Sequence, residues 1–366
     1  MTRPVTALGN LGRRAVRRLM SVHKPLVRRA RRQARADQQA TMIHAVGTVE
    51  QEIAAIAATR GSIVVGPWLA EVGYEVLYWV PFLRWVQDRY QIGPDRFVAL
   101  SRGGLAEAYQ DVAGRYIDIF DHLSPTELAS RNEERQRAKE AGGRKQTATG
   151  GALEDELLRY ASAQIGGQPS AVLHPSLMFR LFRETWHGNL PLDVLWTHTV
   201  YQKLPRPARP AFRGVPDRYV AAKFYSGAAL HETSATRAAL RGLVAAVASH
   251  TPVVVLDTGL VVDDHEDFPF AGIPNVMSAR DWMSPRTNLA VQLTLIAHAE
   301  SFLGTCGGLA WMAPFMGVPT VAVYEDDRFL APHLLIARQA GQRAGAAEFV
   351  TLDLRAISRV NLYQRD

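Results

Sequence analysis

Small residues separate a predicted strand from a predicted helix in the run FLGTCGGLAWMAPFMGVPTVAVY, residues 302–324. The strand is predicted to end at Gly304 and the helix to begin near Gly308. The first N–H groups of a helix lack intrahelical partners, and the helix start is partly positive, so this turn suits an anion. Gly307 lets a phosphate approach the backbone, and Thr305 offers a hydroxyl donor or a helix cap. The run therefore predicts either a phosphate site or only a tight strand-to-helix connection.

Polar side chains at neighbouring strand and helix ends complement this turn. Lys223 and Tyr225 lie at the end of the strand RYVAAKFY, where the ammonium would neutralise a diphosphate. Asp257 follows the strand PVVVL and would accept a hydrogen bond from a ribose or a base, and Arg286 lies at a helix start suited to a further anion. Ligands of open parallel sheets bind where such strand ends meet. Capping or solvation explains each side chain alone, but together they predict a nucleotide pocket.

The first half of the chain offers three candidates for a general base. Glu71 and Glu75 in PWLAEVGYEVLYW are spaced i,i+4 and share one face if the helix includes both. A carboxylate facing a cleft would deprotonate an acceptor hydroxyl, and Glu71 ranks first because it is nearer the strand-to-helix turn. His174, directly after the strand AVL, is the competing base. A helix cap explains Glu71 equally well, and a structural role explains His174.

Two further features concern anions and metals. Arg102 directly precedes Gly103 and Gly104 and is placed to bind an acceptor or a phosphate. The run DDHED, residues 263–267, would bind a divalent cation beside a diphosphate, but it lies in a loop beyond the strand end and nothing fixes a ligand geometry. The sequence favours a solvated acidic loop there, and we expect no metal.

The excess positive charge is confined to the N-terminal segment. The chain has 366 residues and a formal net charge of +7, and residues 1–36 contain eleven Lys or Arg and no acid. Since the whole chain has 42 basic and 35 acidic side chains, 31 basic ones remain beyond that segment, where the balance is −4. A mildly acidic body disfavours nucleic acid as a partner. The segment itself predicts a basic amphipathic helix on an anionic membrane surface, a disordered extension or a transit peptide.

The elements that must position these residues alternate between strand and helix in both halves of the chain. Such alternation predicts parallel sheets covered by helices on both faces. Four prolines between Leu204 and Asp217 indicate an interdomain linker. We therefore predict an extension over residues 1–40, a Rossmann-like domain over 41–205 and a second one over 206–366. The charged stretch near 125–160 breaks the alternation and is typical of an exposed helix, a lid or a partly disordered insertion, of which we favour a mobile insertion.

The glycine-containing run F-x-G-T-x-G-G-L-x-x-x-A-P-x-x-G-V-P resembles the donor-binding end of GT-B glycosyltransferases. The nearest groups are heptosyltransferase-like and fucosyltransferase-like enzymes. GPWLAEVGYEVLYWVPFL and LHPSLMFRLFRETWHG resemble a group of bacterial GT-B-type proteins. The resemblance covers about residues 60–350. It implies two facing Rossmann-like domains, an acceptor on the first, a nucleotide-sugar donor on the second, and no obligatory metal or other cofactor.

Site residues follow from the resemblance only where the motif matches. Gly304, Thr305, Gly307 and Gly308 would bind the donor diphosphate, and Lys223 would be the basic residue after the first strand of the second domain. The better-known heptosyltransferases have a Ser/Thr-Gly-Pro turn followed by His. This chain has Thr-Cys-Gly-Gly over residues 305–308 and no such His, which disfavours a heptose donor.

The sequence as a whole predicts a glycosyltransferase, a hexosyltransferase or a related enzyme, that moves a sugar from a nucleotide-sugar donor to a hydroxyl. The acceptor would be a glycan or a lipid-linked molecule of the cell envelope or of secondary metabolism. No stretch is apolar enough to cross a membrane, so the expected location is cytoplasmic, with peripheral attachment if the basic segment binds membrane. The alternatives are a polysaccharide pyruvyl transferase, a nucleotide-sugar epimerase, or a non-catalytic nucleotide-binding scaffold.

Overall fold

The computed structural model describes residues 40–140, 149–209, 212–260 and 265–359, with the single positions 27, 29 and 33. Apart from those three positions, the basic segment 1–36 lies outside the described residues, as do its predicted helical or disordered state and membrane contact. Every helix in the described ranges is too short or too polar to span a bilayer.

The first sheet has four parallel strands in the order β3-β2-β1-β4. Central strand β1 is wholly buried, and its residue Ile63 pairs with Phe97 on one side and Ala171 on the other. Buried apolar runs of this kind are typical of parallel strands that helices cover on both faces. The strands are β1 (Ile63–Val65), β2 (Phe97–Ser101), β3 (Arg115–Asp118) and β4 (Ala171–Leu173).

Helices surround this first sheet. Helix α1 spans residues 40–57. A short helix α2 (Val72–Tyr74) leads through a π-helical turn (Glu75–Trp79) into α3 (Val80–Tyr90). The remaining helices are α4 (Pro125–Glu140), α5 (Ala152–Ile165), α6 (Ser176–Trp186) and α7 (Asp193–Thr197).

The described residues of the charged stretch near 125–160 mostly form α4 and α5, which agrees with the helical alternative, and the mobility of the insertion stays a prediction. Leu128, Leu153 and Leu157 are buried against the first sheet. Arg135 on α4 pairs with Glu154 on α5 at 2.8 Å, with side chains that are 14% and 2% exposed. A few well-placed leucines and one buried ion pair therefore order a segment whose average composition is polar.

The second sheet has six parallel strands in the order β12-β11-β10-β5-β7-β9. These are β5 (Val220–Lys223), β7 (Val253–Val255), β9 (Val276–Ser278), β10 (Ser301–Thr305), β11 (Thr320–Tyr324) and β12 (Phe349–Asp353). Beyond the end of β5, β6 (Tyr225–Ser226) pairs antiparallel with β8 (Glu266–Asp267). We call this pair the β6/β8 ribbon.

Five helices flank the second sheet. Thr233 caps α8 by accepting a hydrogen bond from the Thr236 N–H at 3.0 Å. The short helix α10 continues as a 3-10 turn (Ala313–Met316), and this whole stretch is apolar and buried beyond Gly308. The helices are α8 (Ser234–Ala248), α9 (Asn288–Ala297), α10 (Gly308–Met312), α11 (Ala331–Ala344) and α12 (Leu354–Arg359).

One apolar cluster continues from the first sheet into the second. It joins Trp79 and Phe82 of the first half to Trp311 and Phe315 of the second. The predicted α/β fold with two Rossmann-like bodies is confirmed, since each half builds its own parallel sheet. Each sheet lies within one predicted domain, and the domain limits at residues 40 and 205 remain predictions.

Candidate functional site

Two neighbouring cavities lie where the two domains meet. The first, which we call the ion-pair cavity, has a volume of about 120 Å³, and its lining includes Glu71, Arg102, Lys223, Asp267, Gln292 and Gly308. The second, the aromatic cavity, has a volume of about 270 Å³, and its lining includes Tyr74, Trp311, Phe329 and His333. Glu71, Tyr225 and His265 line both cavities. Residues from both domains thus form one divided cleft, as expected for ligands at the carboxyl ends of parallel strands.

Lys223 ends the central strand β5 and lines the ion-pair cavity. Its Nζ lies 2.6 Å from Asp267 Oδ1, and the two side chains are 11% and 13% exposed. Asp267 Oδ2 accepts a hydrogen bond from the Thr258 N–H at 2.9 Å. An ammonium so nearly buried needs a counter-charge, and here a carboxylate of the β6/β8 ribbon provides it.

Arg102 brings a second cation to the same cavity from the first domain. The side chain is 4% exposed and its Nη2 donates to the Ala70 carbonyl at 3.1 Å. The following turn is fixed by Asp118, whose carboxylate accepts from the N–H groups of Gly103 at 3.2 Å and Gly104 at 2.6 Å. Burial raises the pKa of Asp118 despite these hydrogen bonds. The guanidinium of Arg102 and the ammonium of Lys223 therefore lie at one cavity although they belong to different domains.

Glu71, which the sequence ranks first among the candidate bases, is exposed and borders both cavities, and its role as a base stays a prediction. Its backbone is extended, with φ −62° and ψ 145°, so it lies just before α2 and outside the helix. The prediction that Glu71 and Glu75 share one helical face is therefore wrong. Glu71 lines the cleft as part of the strand-to-helix turn.

Tyr225 and His265 lie between the two cavities. Their ring centroids are 4.4 Å apart, and both residues belong to or adjoin the β6/β8 ribbon. The Tyr225 backbone is tied to Thr305, whose hydroxyl accepts from the Tyr225 N–H at 2.9 Å and donates to the Tyr225 carbonyl at 3.1 Å. Thr305 lines the aromatic cavity, but its hydroxyl is engaged with the backbone, so its main effect is to position Tyr225.

The small residues of the 305–308 turn permit a close approach, but of the other domain. A Cβ added to Gly308 would lie 2.9 Å from Val72 Cγ1 and 3.1 Å from the Gly73 nitrogen. A Cβ on Gly307 would lie 2.0 Å from the Tyr225 hydroxyl. Val72 and Gly73 of the first domain therefore lie on the side of Gly308 where the sequence predicted that a phosphate would approach. Gly307 borders the aromatic cavity and Gly308 the ion-pair cavity.

Two of the predicted bases lie away from the cleft. Glu75 is fully buried, and its Oε1 accepts from Ser101 Oγ and Tyr109 OH, each at 2.5 Å. His174 Nε2 lies 3.3 Å from Glu154 Oε2. Neither Glu75 nor His174 lines either cavity. Both side chains link elements within the first domain, which is the structural role that the sequence left open for His174.

The predicted anion residue and ribose-binding residue are also engaged elsewhere. Asp257 accepts from the Ser278 hydroxyl and lies 3.1 Å from Arg280 Nη2. Arg286 pairs with Asp121 of the first domain at 2.6 Å, and its side chain is 67% exposed. Neither Asp257 nor Arg286 lines either cavity. The helix start near Arg286 is likewise in use, because the N–H groups of Leu289 and Ala290 point to the Gly103 carbonyl at 2.8 and 3.3 Å.

Sequence reasoning missed two buried polar residues of the cleft. Gln292 is 2% exposed and lines the ion-pair cavity, where its Oε1 has no hydrogen-bond partner among the described residues. His333 on α11 is 6% exposed, with Tyr74 OH 3.1 Å from Nε2 and Tyr78 OH 2.5 Å from Nδ1. Burial, and secondarily His187, lower the pKa of His333 to about 4. Gln292 is a polar residue within the apolar helical run NLAVQLTLIA, and this is the signal that could have identified it.

The described residues contain no group of three or more His, Cys, Asp or Glu side chains arranged to bind a metal ion. In the acidic run of residues 263–267, Asp267 pairs with Lys223 and His265 packs on Tyr225. The predicted description of this run as a solvated loop is therefore wrong for these two residues, which line the cleft.

No protein-family model matches the sequence, and no curated protein is similar to it at a significant level. Solved structures are similar at low identity. A family 9 glycosyl transferase from Veillonella parvula is 14% identical, with a TM-score of 0.42 over 81% of this chain and 87% of the other. The E. coli ADP-heptose lipopolysaccharide heptosyltransferase II is 13% identical, with a TM-score of 0.36 over 75% of this chain and 88% of the other.

A third similar structure is the dodecameric iron-containing glycosyltransferase TibC from enterotoxigenic E. coli. It is 14% identical, with a TM-score of 0.39 over 73% of this chain and 59% of TibC, so this chain spans less than two thirds of that protein. All three structures are glycosyltransferases. Identities and scores this low assign no donor, acceptor or activity to this chain.

Proposed function

We propose that the protein is a glycosyltransferase that moves a sugar from a nucleotide-sugar donor to a hydroxyl acceptor. The observation that carries this proposal is the ion-pair cavity, where a cation from each domain and the carboxylate of Glu71 line one space. A nucleotide-sugar reaction needs cations at a departing diphosphate and a base at the attacking hydroxyl. Lys223 and Arg102 meet the first need, and Glu71 meets the second.

In the proposed reaction Glu71 accepts the proton of the acceptor hydroxyl while the acceptor oxygen bonds to the anomeric carbon of the donor. The bond from that carbon to the phosphate oxygen breaks, and its electron pair leaves with the nucleoside diphosphate. Lys223 and Arg102 stabilise the added negative charge on the leaving group. No metal ion is part of this proposal, since two side-chain cations face the same cavity.

The aromatic cavity is the proposed acceptor compartment. Tyr74, Trp311 and Phe329 present ring surfaces there, and Phe329 is 69% exposed at its border. Ring surfaces pack against the apolar faces of sugars and against lipid-like groups, so a glycan or a lipid-linked acceptor of the cell envelope suits this compartment. Glu71 borders both compartments, so it can take the proton from an acceptor hydroxyl next to the donor's anomeric carbon.

A thermal-shift screen with UDP, GDP, dTDP and CMP and their sugars tests the proposal. At least one nucleotide at millimolar concentration should raise the melting temperature, because a ligand that binds only the folded state stabilises it. With the donor so identified, Glu71→Gln should lower kcat by about 10²- to 10⁴-fold and leave donor affinity within about twofold. The control is Glu107→Gln, an exposed carboxylate of the first domain. If no nucleotide shifts the melting temperature, the proposal fails.

One observation favours the epimerase alternative. Two carboxylates and a histidine, Glu71, Asp267 and His265, line the same cavity, as proton transfer at a sugar carbon would require. The two functions separate when the protein is incubated with the identified nucleotide sugar and no acceptor. An epimerase interconverts two nucleotide sugars under these conditions, whereas a transferase releases nucleoside diphosphate only slowly.

A further inference from the structure

Asp267 lies where an anionic ligand of the ion-pair cavity would have to bind. Its Oδ1 is 2.6 Å from Lys223 Nζ, a distance at which a phosphate oxygen would also bind this ammonium. Lys223 and Asp267 are both nearly buried and both line the cavity. The carboxylate therefore stands in for the phosphate when no anion is bound.

The ribbon fixes this carboxylate without closing the site. Asp267 pairs with Tyr225 across the β6/β8 ribbon, and its Oδ2 accepts from the Thr258 N–H at 2.9 Å. Only the Oδ1 side of the carboxylate is used by Lys223. A ligand can thus take over Lys223 while the hydrogen bond to Thr258 remains.

We propose that Asp267 is a built-in counter-ion that competes with the donor's diphosphate for Lys223 and so weakens donor binding. This inference rests on the proposed function, because it assigns a phosphate group to the ion-pair cavity. A diphosphate at Lys223 lies beside the Asp267 carboxylate, and like charges at such distances in a partly buried site repel. Without a ligand, the same carboxylate balances the positive charge of Lys223, since an unpaired buried ammonium lowers the stability of the folded chain.

Two quantities therefore change in opposite directions when the charge of Asp267 is removed. In Asp267→Asn the unliganded protein should melt at a lower temperature, because Lys223 loses its counter-charge. Affinity for a diphosphate should rise by about tenfold or more, since the ligand now meets no competing carboxylate. Asp267→Glu keeps the charge and should bind the diphosphate as weakly as the natural protein does.

The experiment is isothermal titration of the full chain with inorganic pyrophosphate and with the nucleoside diphosphate found in the screen. Each titration is run with EDTA and again with Mg²⁺. The matched control is Asp257→Asn, because Asp257 also pairs with a cation at a strand end, Arg280, but lines neither cavity. That variant should leave the affinity unchanged. Lys223→Gln should weaken pyrophosphate binding. In the double variant, Asp267→Asn should raise the affinity little above that of Lys223→Gln alone.

Every outcome of these titrations either supports or overturns the inference. Tighter binding in Asp267→Asn and not in Asp257→Asn supports the inference, whereas unchanged or weaker binding overturns it. Loss of Mg²⁺-dependent binding also overturns it, because Asp267 would then be a cation ligand. If Asp267→Asn does not fold, Asp267→Ser, which also removes the negative charge, answers the same question. When the natural chain binds a nucleoside diphosphate but the variants do not bind it more tightly, only this inference fails. When none of them binds a nucleotide, the proposed function fails as well.

Discussion

Two glycine pairs, one in each domain, bring at least one glycine against a helix start of the opposite domain. Gly103 and Gly104 follow β2 and face the beginning of α9, where a Cβ on Gly104 would lie 2.8 Å from the Arg286 carbonyl oxygen. Gly307 and Gly308 follow β10, and Gly308 faces the beginning of α2. We call these the Gly103 contact and the Gly308 contact. Both pairs directly follow a strand end, yet the two contacts are made by different forces.

Backbone hydrogen bonds dominate the Gly103 contact. The Gly103 carbonyl accepts from two N–H groups of α9, and Asp118 accepts from the N–H groups of both glycines. The Gly308 contact relies on packing of Gly308 against Gly73, with polar support from His333 and its two tyrosine partners. A glycine pair after a strand therefore indicates that another group packs closely against the backbone, but it does not identify that group. In both contacts the group is the backbone or side chain of the opposite domain.

The largest expected effect breaks the Gly103 contact. Asp118→Ala removes the acceptor of three backbone N–H groups, those of Gly103, Gly104 and Phe120. Because each buried donor left without a partner costs roughly 1–3 kcal/mol, we expect the free energy of unfolding to fall by about 4 kcal/mol. Urea denaturation measures this change.

A nearby ion pair provides the control for that prediction. Asp121→Ala removes the partner of Arg286 at the same interface, but the arginine side chain is 67% exposed. An exposed pair contributes at most about 1 kcal/mol, so this variant should unfold close to the natural midpoint. Equal losses in the two variants would show that the backbone bonds of Asp118 do not stabilise the contact.

The next effect concerns the polar support of the Gly308 contact and depends on pH. The pKa of His333 is about 4 in the folded chain against 6.5 for the free side chain, so between these values the unfolded chain binds more protons. This contribution to stability is complete above pH 6.5 and is lost as the pH falls toward 4, by up to about 3 kcal/mol.

Denaturation series at pH 7, 6, 5 and 4 test this pH dependence. His333→Gln should show a shallower loss of stability over that range, and His44→Gln, which changes an exposed histidine, should follow the natural chain. Parallel curves for the natural chain and His333→Gln would contradict the lowered pKa.

A smaller effect tests packing at the Gly308 contact. Gly308→Ala places a methyl group 2.9 Å from Val72 Cγ1, so the helix starts must separate slightly, at a cost of about 1–2 kcal/mol. Gly242→Ala on α8 has no heavy atom within 4 Å of the added methyl group and should stabilise the chain by up to about 1 kcal/mol. A neutral Gly308→Ala would mean that the two domains do not pack closely there.

The smallest effect on stability is expected at Gly307. In Gly307→Ala the added methyl group meets the Tyr225 hydroxyl, which is the far end of a side chain that can rotate away. The free energy of unfolding should therefore change by less than about 0.5 kcal/mol. Tyr225 lines both cavities, and its displacement should weaken nucleotide binding measured by titration. Unchanged affinity would separate the 305–308 turn from the proposed site and leave Gly307 with a packing role only.

Local patterns predicted most of the fold. The strands at residues 63–65, 97–101 and 301–305 were recognisable from short apolar runs that end at glycine or polar turns. The helices of residues 125–140 and 152–165 were not, because their order comes from Leu128 and from the Arg135–Glu154 pair, which are contacts made only in the folded chain. Average polarity could not reveal them.

The candidate site could be predicted only in part. Glu71, Arg102 and Lys223 are at strand ends, and parallel strand ends converge, so topology alone brings them together. The ion-pair partners of Asp257 and Arg286 could not be predicted. Asp257 pairs with Arg280, which is remote in sequence, and Arg286 pairs with Asp121 of the other domain. The sequence also could not show that Val72 and Gly73 of the opposite domain pack against Gly308, so the anion-binding role of the glycine turn stays a prediction.

The position of Tyr225 and His265 between the two cavities has a thermodynamic consequence. A side chain that borders two binding spaces contributes to the free energy of both, so a ligand that shifts it in one space changes the affinity of the other by some factor. Linkage requires the reverse effect to have the same size. If the two cavities bind different ligands, a shift of the Tyr225–His265 pair on the β6/β8 ribbon would therefore couple their affinities equally in both directions.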